Sequence, residues 1–218
     1  GYSPQTVTFS GPNQTDDAQI SADDPNSNYG GEYLSGINVD SSGPHCHAVI
    51  RFPDIVGMDP GQVPAGATIV SAVLKVRCFG DGSPTRLYRL TEDWAENEVT
   101  WNNRRDSLPW TNPGADGPGS HAGVAIDGDF SQTGWRTIDI TEFAQDWSDG
   151  LPNYGVVLVD TGSNGVDFDS SESANPPLLT IMYVSAWEQR GYVELSGTDA
   201  AITFDPVSLA DQRTYTWN

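Results

Sequence analysis

Apolar and polar positions alternate along the chain in short runs, separated by clusters of Gly, Pro, Asn and Asp. "TVTFS", "CHAVIRF", "ATIVSAVLKVRCF", "TRLYRL", "WRTIDI", "YGVVLVD", "VDFDSS" and "PLLTIMYV" are such runs, rich in Val, Ile, Thr and aromatic residues. Each predicts a β-strand. The most regular places Ala72, Leu74, Val76 and Cys78 on one side and Val73, Lys75 and Arg77 on the other, a strand with one buried and one wet face. One segment breaks the period of two. In "DITEFAQDWSDG", Phe143, Ala144 and Trp147 fall at i, i+1 and i+4, with Thr141 as an N-cap and Gly150 as the stop, which predicts a helix of two to three turns. The fold class is therefore all-β: two antiparallel sheets packed as a jelly-roll sandwich, with one short helix.

Residues 102–134 are dense in Gly, Pro, Asn and Asp and read as a long loop. A second change of texture follows Val184. Residues 1–184 form the predicted sandwich module. Residues 185–218 are a C-terminal extension, read as an extra hairpin, a linker or the start of a next domain.

Charge changes the picture of partners. Of the 218 residues, 30 are acidic and 10 basic, for a net charge of −20, and Lys75 is the sole lysine. Such a surface repels nucleic acid and anionic membranes. No apolar run is long enough to span a bilayer, so no membrane insertion is expected. The opening "GYSPQTVTF" reads as a mature or trimmed piece rather than a signal peptide. The chain is expected to be a monomer.

Several stretches carry candidate chemistry. In "GPHCHAVIRF" a regular strand turns His45 and His47 to one face and Cys46 to the other, with Ile50 and Phe52. The two histidines read as a solvent-facing pair at a strand start; the alternative is a Zn²⁺ or Cu²⁺ site completed by His121. Cys46 and Cys78 share the core-facing parity of their strands, which allows either a disulfide between them or two buried free thiols. The stretch "TDDAQISADDPNSNYGG" offers Asp17, Asp23, Asp24 and Asn28, with Asp169 and Glu172 of "FDSSES" as partners from afar. Such oxygen donors suit Ca²⁺ or a solvated acidic loop, and the spacing is not that of an EF-hand. Among the aromatics, Trp94, Trp101 and Trp147 read as packed. Trp110 sits in the Pro/Gly loop "SLPWTNPG" and reads as either a sugar-stacking platform or a loop anchor. Arg104 and Arg105 beside it can grip a carboxylate or neutralise Asp106 and Glu98. Tyr33, Trp187 and Tyr154 are weaker candidates for exposed rings. No nucleophile elbow, zinc-protease or phosphate-loop motif is present, and a carboxylate pair means little among thirty acids. The chain is not expected to be an enzyme.

The order of motifs adds to this reading. "NYGGEYLSGI", "AVIRFPDI", "GATIVSAVLKVRC", "LYRLTEDWAENEVTWNN", "GWRTIDITEFAQDWSDGLPNYGVVLV" and "FDSSESANPPLLTIMY" follow one another from about Thr6 to Tyr183. This resembles the DNRLRE-type domains, which overlap carbohydrate-binding module family 96 and the disaggregatase-related modules; "LTEDWAENEVTWNN" is its most specific piece. The resemblance implies a jelly-roll appendage on a large secreted, polysaccharide-active or cell-surface protein. It implies glycan binding without catalysis, and a structural Ca²⁺. Alginate-binding members have a cationic groove, from which a chain with one lysine departs. The expected function is thus a non-catalytic module that binds a polysaccharide by aromatic stacking and polar loop contacts, secreted or at the cell surface and tied to other domains of its parent. A structural or adhesive spacer is the alternative, and a lyase or metal-dependent enzyme a further one.

Overall fold

The computed structural model describes residues 3–31, 36–43 and 45–185. Tyr33, and the C-terminal extension beyond Ser185, lie outside the described residues. In chain order the strands are β1 (Gln5–Ser10), β2 (Asp16–Ser21), β3 (Tyr29–Gly30), β4 (Ile37–Val39), β5 (Cys46–Arg51), β6 (Thr68–Cys78), β7 (Thr85–Leu90), β8 (Asn103–Arg105), β9 (Leu108–Pro109), β10 (His121–Gly128), β11 (Gly134–Asp139), β12 (Val156–Asp160), β13 (Val166–Phe168) and β14 (Leu178–Val184), with one helix, α1 (Thr141–Ser148). The first sheet runs β1-β14-β6-β13-β4, with β11 also on β6; the second runs β10-β7-β12-β5-β2-β3. All their pairings are antiparallel. The chain repeatedly switches sheets between successive strands, as at β1–β2, β4–β5, β6–β7, β10–β11 and β12–β13. This is the expected all-β sandwich.

Strand parity builds the core. Ala72, Leu74, Val76 and Cys78 of β6 face inward and meet Leu179, Ile181, Phe168 and Ile138 of the first sheet, and Ala48, Ile50, Leu87 and Leu158 of the second. Burying such side chains contributes about 1.5–3 kcal/mol each. Helix α1 closes one end of this layer through Phe143, Ala144 and Trp147. Thr141 lies inside the helix rather than capping it. Its Oγ1 accepts from Ala72 N–H at 2.9 Å and pairs with Asp139, so it ties the helix to β6.

A second core was not expected. Val49 and Val157 face away from the first core, yet both are fully buried, in a cluster with Ala18, Ile20, Leu90, Trp94, Val99, Trp110 and Ala115. The segment between β7 and β10 folds back over the outer face of the second sheet and covers it. This explains why "CHAVI" and "GVVLV" are almost continuously apolar: β5 and β12 are covered on both sides.

Three expectations are resolved here. Trp110 is 3 % exposed, and its Nε1–H donates to Thr100 O at 3.0 Å; it anchors the covering segment and is not a sugar platform. His47 is 1 % exposed under the same cover, whereas His45 is exposed. No disulfide forms: Cys46 and Cys78 are buried free thiols. They sit on different sheets, Cys46 Sγ accepting from Gln19 Nε2 at 3.5 Å and Cys78 packed in the first core.

Candidate functional site

Three carboxylates from distant parts of the chain meet beside β2. Asp17, Glu96 and Glu172 each place an oxygen within 4.8 Å of the others. Asp17 is cross-strand from Ile50 and 1 % exposed. Its Oδ2 accepts from Ser171 N–H at 2.8 Å, and its own N–H donates to Glu96 Oε1 at 2.8 Å. Ser171 Oγ lies 2.9 Å from Glu172 Oε1, while Glu172 Oε2 is buried without a hydrogen-bond partner. Glu96 is held by its backbone: Asn28 Nδ2 donates to Glu96 O at 2.6 Å and to Val99 O at 2.8 Å. Gly30 makes room for this approach, since a Cβ there would stand 2.1 Å from Glu96 O.

The electrostatics of this trio are unfavourable as it stands. Burial, then the charges of Glu172 and Glu96, push the Asp17 carboxyl well above the usual carboxylate range. Burial also raises Glu96. Arg51, whose charge reaches Glu96, is committed to Asp16 and Asp93. A buried, all-carboxylate set without a guanidinium or ammonium of its own either holds protons or holds a cation. Its hard oxygens and the unpartnered Oε2 fit Ca²⁺.

The outer face of the first sheet is a different kind of surface. Trp135 lies opposite Arg77, and Thr137 opposite Lys75, between β11 and β6. These side chains point away from the core, and Phe79 follows with the same parity as Arg77. Trp135 is 46 % and Phe79 47 % exposed. Trp135 is the one exposed tryptophan among the described residues. Arg77 reaches Asp169 at 3.2 Å, and among the described residues Lys75 enters no ion pair. A flat ring on an open sheet, bordered by two cations and hydroxyls, can stack on a pyranose face and hydrogen-bond its substituents.

The profile of carbohydrate-binding module family 96 matches residues 8–183, nearly all of the sandwich. The chain belongs to carbohydrate-binding module family 96. No curated protein is matched by the sequence. Members of such a family are carbohydrate-binding modules, usually non-catalytic.

Within this family 96 module the expected site residues are dispersed. Asp17 and Glu172 come together, joined by Glu96. Asp23 and Asp24 stay exposed on the following loop, Asp24 accepting from Tyr29 Oη at 3.2 Å. Asp169 is engaged with Arg77 and Asn175, and Asn28 positions Glu96 through its amide nitrogen. Arg104 and Arg105 are spent inside the protein: Arg104 Nη1 donates to Asp93 O at 2.8 Å, and Arg105 pairs with Asp93. Their partners are therefore Asp93 and Glu92 rather than Asp106 and Glu98; Glu98 Oε2 accepts from Asp106 N–H. Tyr154 packs against the second core.

Sequence reasoning missed Glu96 and Trp135. Glu96 sits in "LTEDWAENEVTWNN", where Glu92 is bonded by Thr111 and Ser120, Asp93 by Arg51 and Arg105, and Glu98 by Asp106. It is the acid of that motif left over for another partner. Trp135 carried a signal in its strand, where it alternates with inward-facing Ile138.

Proposed function

We propose that this family 96 module binds a polysaccharide on the outer face of its first sheet. Trp135 stacks on a sugar ring, Phe79 extends the apolar strip, and Lys75, Arg77 and Thr137 hydrogen-bond the flanking hydroxyl or carboxylate groups. The observation that carries this reading is the exposure of Trp135 on an open sheet face, while Trp94, Trp110 and Trp147 are buried. The reading extends to Ca²⁺ held by Asp17, Glu96 and Glu172, where the ion would neutralise the trio and pin three distant segments together. The module carries out no catalysis itself and serves as an appendage of a secreted or cell-surface protein, bringing other domains of that parent to the glycan. Weak single-site affinity is offset by multivalency. Among the described residues no helix is long and apolar enough to cross a membrane.

Affinity electrophoresis of the whole chain against neutral and acidic polysaccharides, with and without chelator, tests this. Retardation by at least one polysaccharide is expected. Mobility unchanged by every polysaccharide would leave a structural spacer as the better reading.

A further inference from the structure

The "HCH" stretch is not absorbed by glycan binding or by the carboxylate trio. His45 and His47 are two apart on an extended segment, so their rings fall on one side of it. The ring centroids are 5.2 Å apart. His47 Nδ1 lies 2.8 Å from Gly114 O. A carbonyl can only accept, so Nδ1 carries the proton and Nε2 holds a lone pair. That Nε2 is buried and has no hydrogen-bond partner, on a side chain 1 % exposed. Buried acceptors are normally satisfied. A histidine whose Nδ1–H is fixed by a backbone carbonyl and whose Nε2 is free has the arrangement of a metal ligand with its orienting partner.

We infer that His45 and His47 form a two-imidazole chelate for a transition-metal dication such as Cu²⁺ or Ni²⁺. The spacing allows it. With a metal–nitrogen bond of about 2.1 Å and a ring centre about 1.1 Å behind the nitrogen, two cis imidazoles have centroids roughly 4.5–5.2 Å apart for angles between about 90° and 109°. The observed 5.2 Å falls at the upper end of that range. Nitrogen donors suit Cu²⁺ and Ni²⁺, whereas Ca²⁺ prefers the oxygens of the trio. Among the described residues no third His, Cys, Asp or Glu completes the set, so water fills the other positions and the ion stays exchangeable. His45 is exposed and gives access from solvent. Trp101 lies against both rings, at 5.1 Å from His45 and 4.8 Å from His47. Gly114 fixes both sides of the site, its N–H donating to Trp101 O and its O accepting from His47.

The test is calorimetric and fluorescence titration of the chelator-treated protein with CuCl₂ and with NiCl₂, in the presence of excess Ca²⁺. One equivalent is expected to bind and quench tryptophan emission. His45→Ala, a surface change, is expected to weaken binding at least tenfold with an unchanged melting curve; His47→Gln should do the same where it folds. Asp17→Asn should bind Cu²⁺ and Ni²⁺ as the wild type does. The inference is overturned if neither ion binds saturably, if His45→Ala binds like the wild type, or if Ca²⁺ displaces the ion.

Discussion

Replacing Asp17 by Asn gives the sharpest test of the carboxylate trio, because it acts in opposite directions with and without Ca²⁺. Two unit charges no more than 4.8 Å apart repel by at least about 3.5 kcal/mol in an effective dielectric of about 20. Asp17 faces two such neighbours. Protonation and water relieve most of that repulsion, so Asp17→Asn is expected to stabilise the calcium-free protein by about 1–3 kcal/mol near neutral pH. For a chain of this size that raises Tm by about 3–10 °C. Ca²⁺ at a hundredfold its Kd should add about 2.7 kcal/mol to the wild type and almost nothing to the variant. The pH dependence follows. Folding raises the pKa of Asp17 and Glu96, so the folded calcium-free protein holds extra protons. Their contribution is fully present below about pH 4 and is lost as pH rises through the raised folded values. Glu92, Asp93 and Asp139 are held low and pull the other way, so the difference between variant and wild type isolates the trio. Differential scanning calorimetry in EDTA and in CaCl₂, from pH 4 to 8, reads it. A variant less stable than the wild type in EDTA, or one that gains as much from Ca²⁺, would refute the reasoning.

Other substitutions probe the frame around these sites. Trp110→Ala should cost about 3–5 kcal/mol in urea denaturation, because the ring anchors the second core, and should leave the glycan affinity of the folded fraction intact. Gly30→Ala should push back the Glu96 segment, lowering both Tm and the Ca²⁺-induced gain in calorimetry. Cys46 and Cys78 should resist a thiol reagent in the native protein and yield two free thiols once unfolded; burial pushes the Cys78 thiol up to about 12.

How much of this was legible in the sequence depends on what each pattern encodes. Alternation in β6 and the i, i+1, i+4 spacing of Phe143, Ala144 and Trp147 encode burial directly, so the sandwich and its helix could be read. Parity tells which face a side chain takes but not what lies over that face. His47 was placed correctly on the outer side of β5, and the segment carrying Trp101 and Trp110 then buried it. The cue was the apolar character of both faces in "CHAVI". Strand β10 was hidden because "HAGVAIDG" packs little of itself, four of its eight residues being exposed. The trio was half visible. Asp17 and Glu172 could be proposed from their donor types, but Glu96 required knowing that Arg51 and Arg105 consume Asp93. Trp135 was overlooked for a similar reason: a tryptophan opening a strand looks like core until the register sets it beside Arg77 on the wet face.

The claim everything rests on is that the open face of the first sheet meets the sugar. Isothermal titration of the wild type and Trp135→Ala with the polysaccharide that most retards the protein addresses it directly. A loss of at least tenfold in affinity at unchanged Tm is expected, since a stacked ring contributes on the order of 1.4 kcal/mol or more. Wild-type affinity in Trp135→Ala would contradict it and move the binding surface elsewhere on the sandwich.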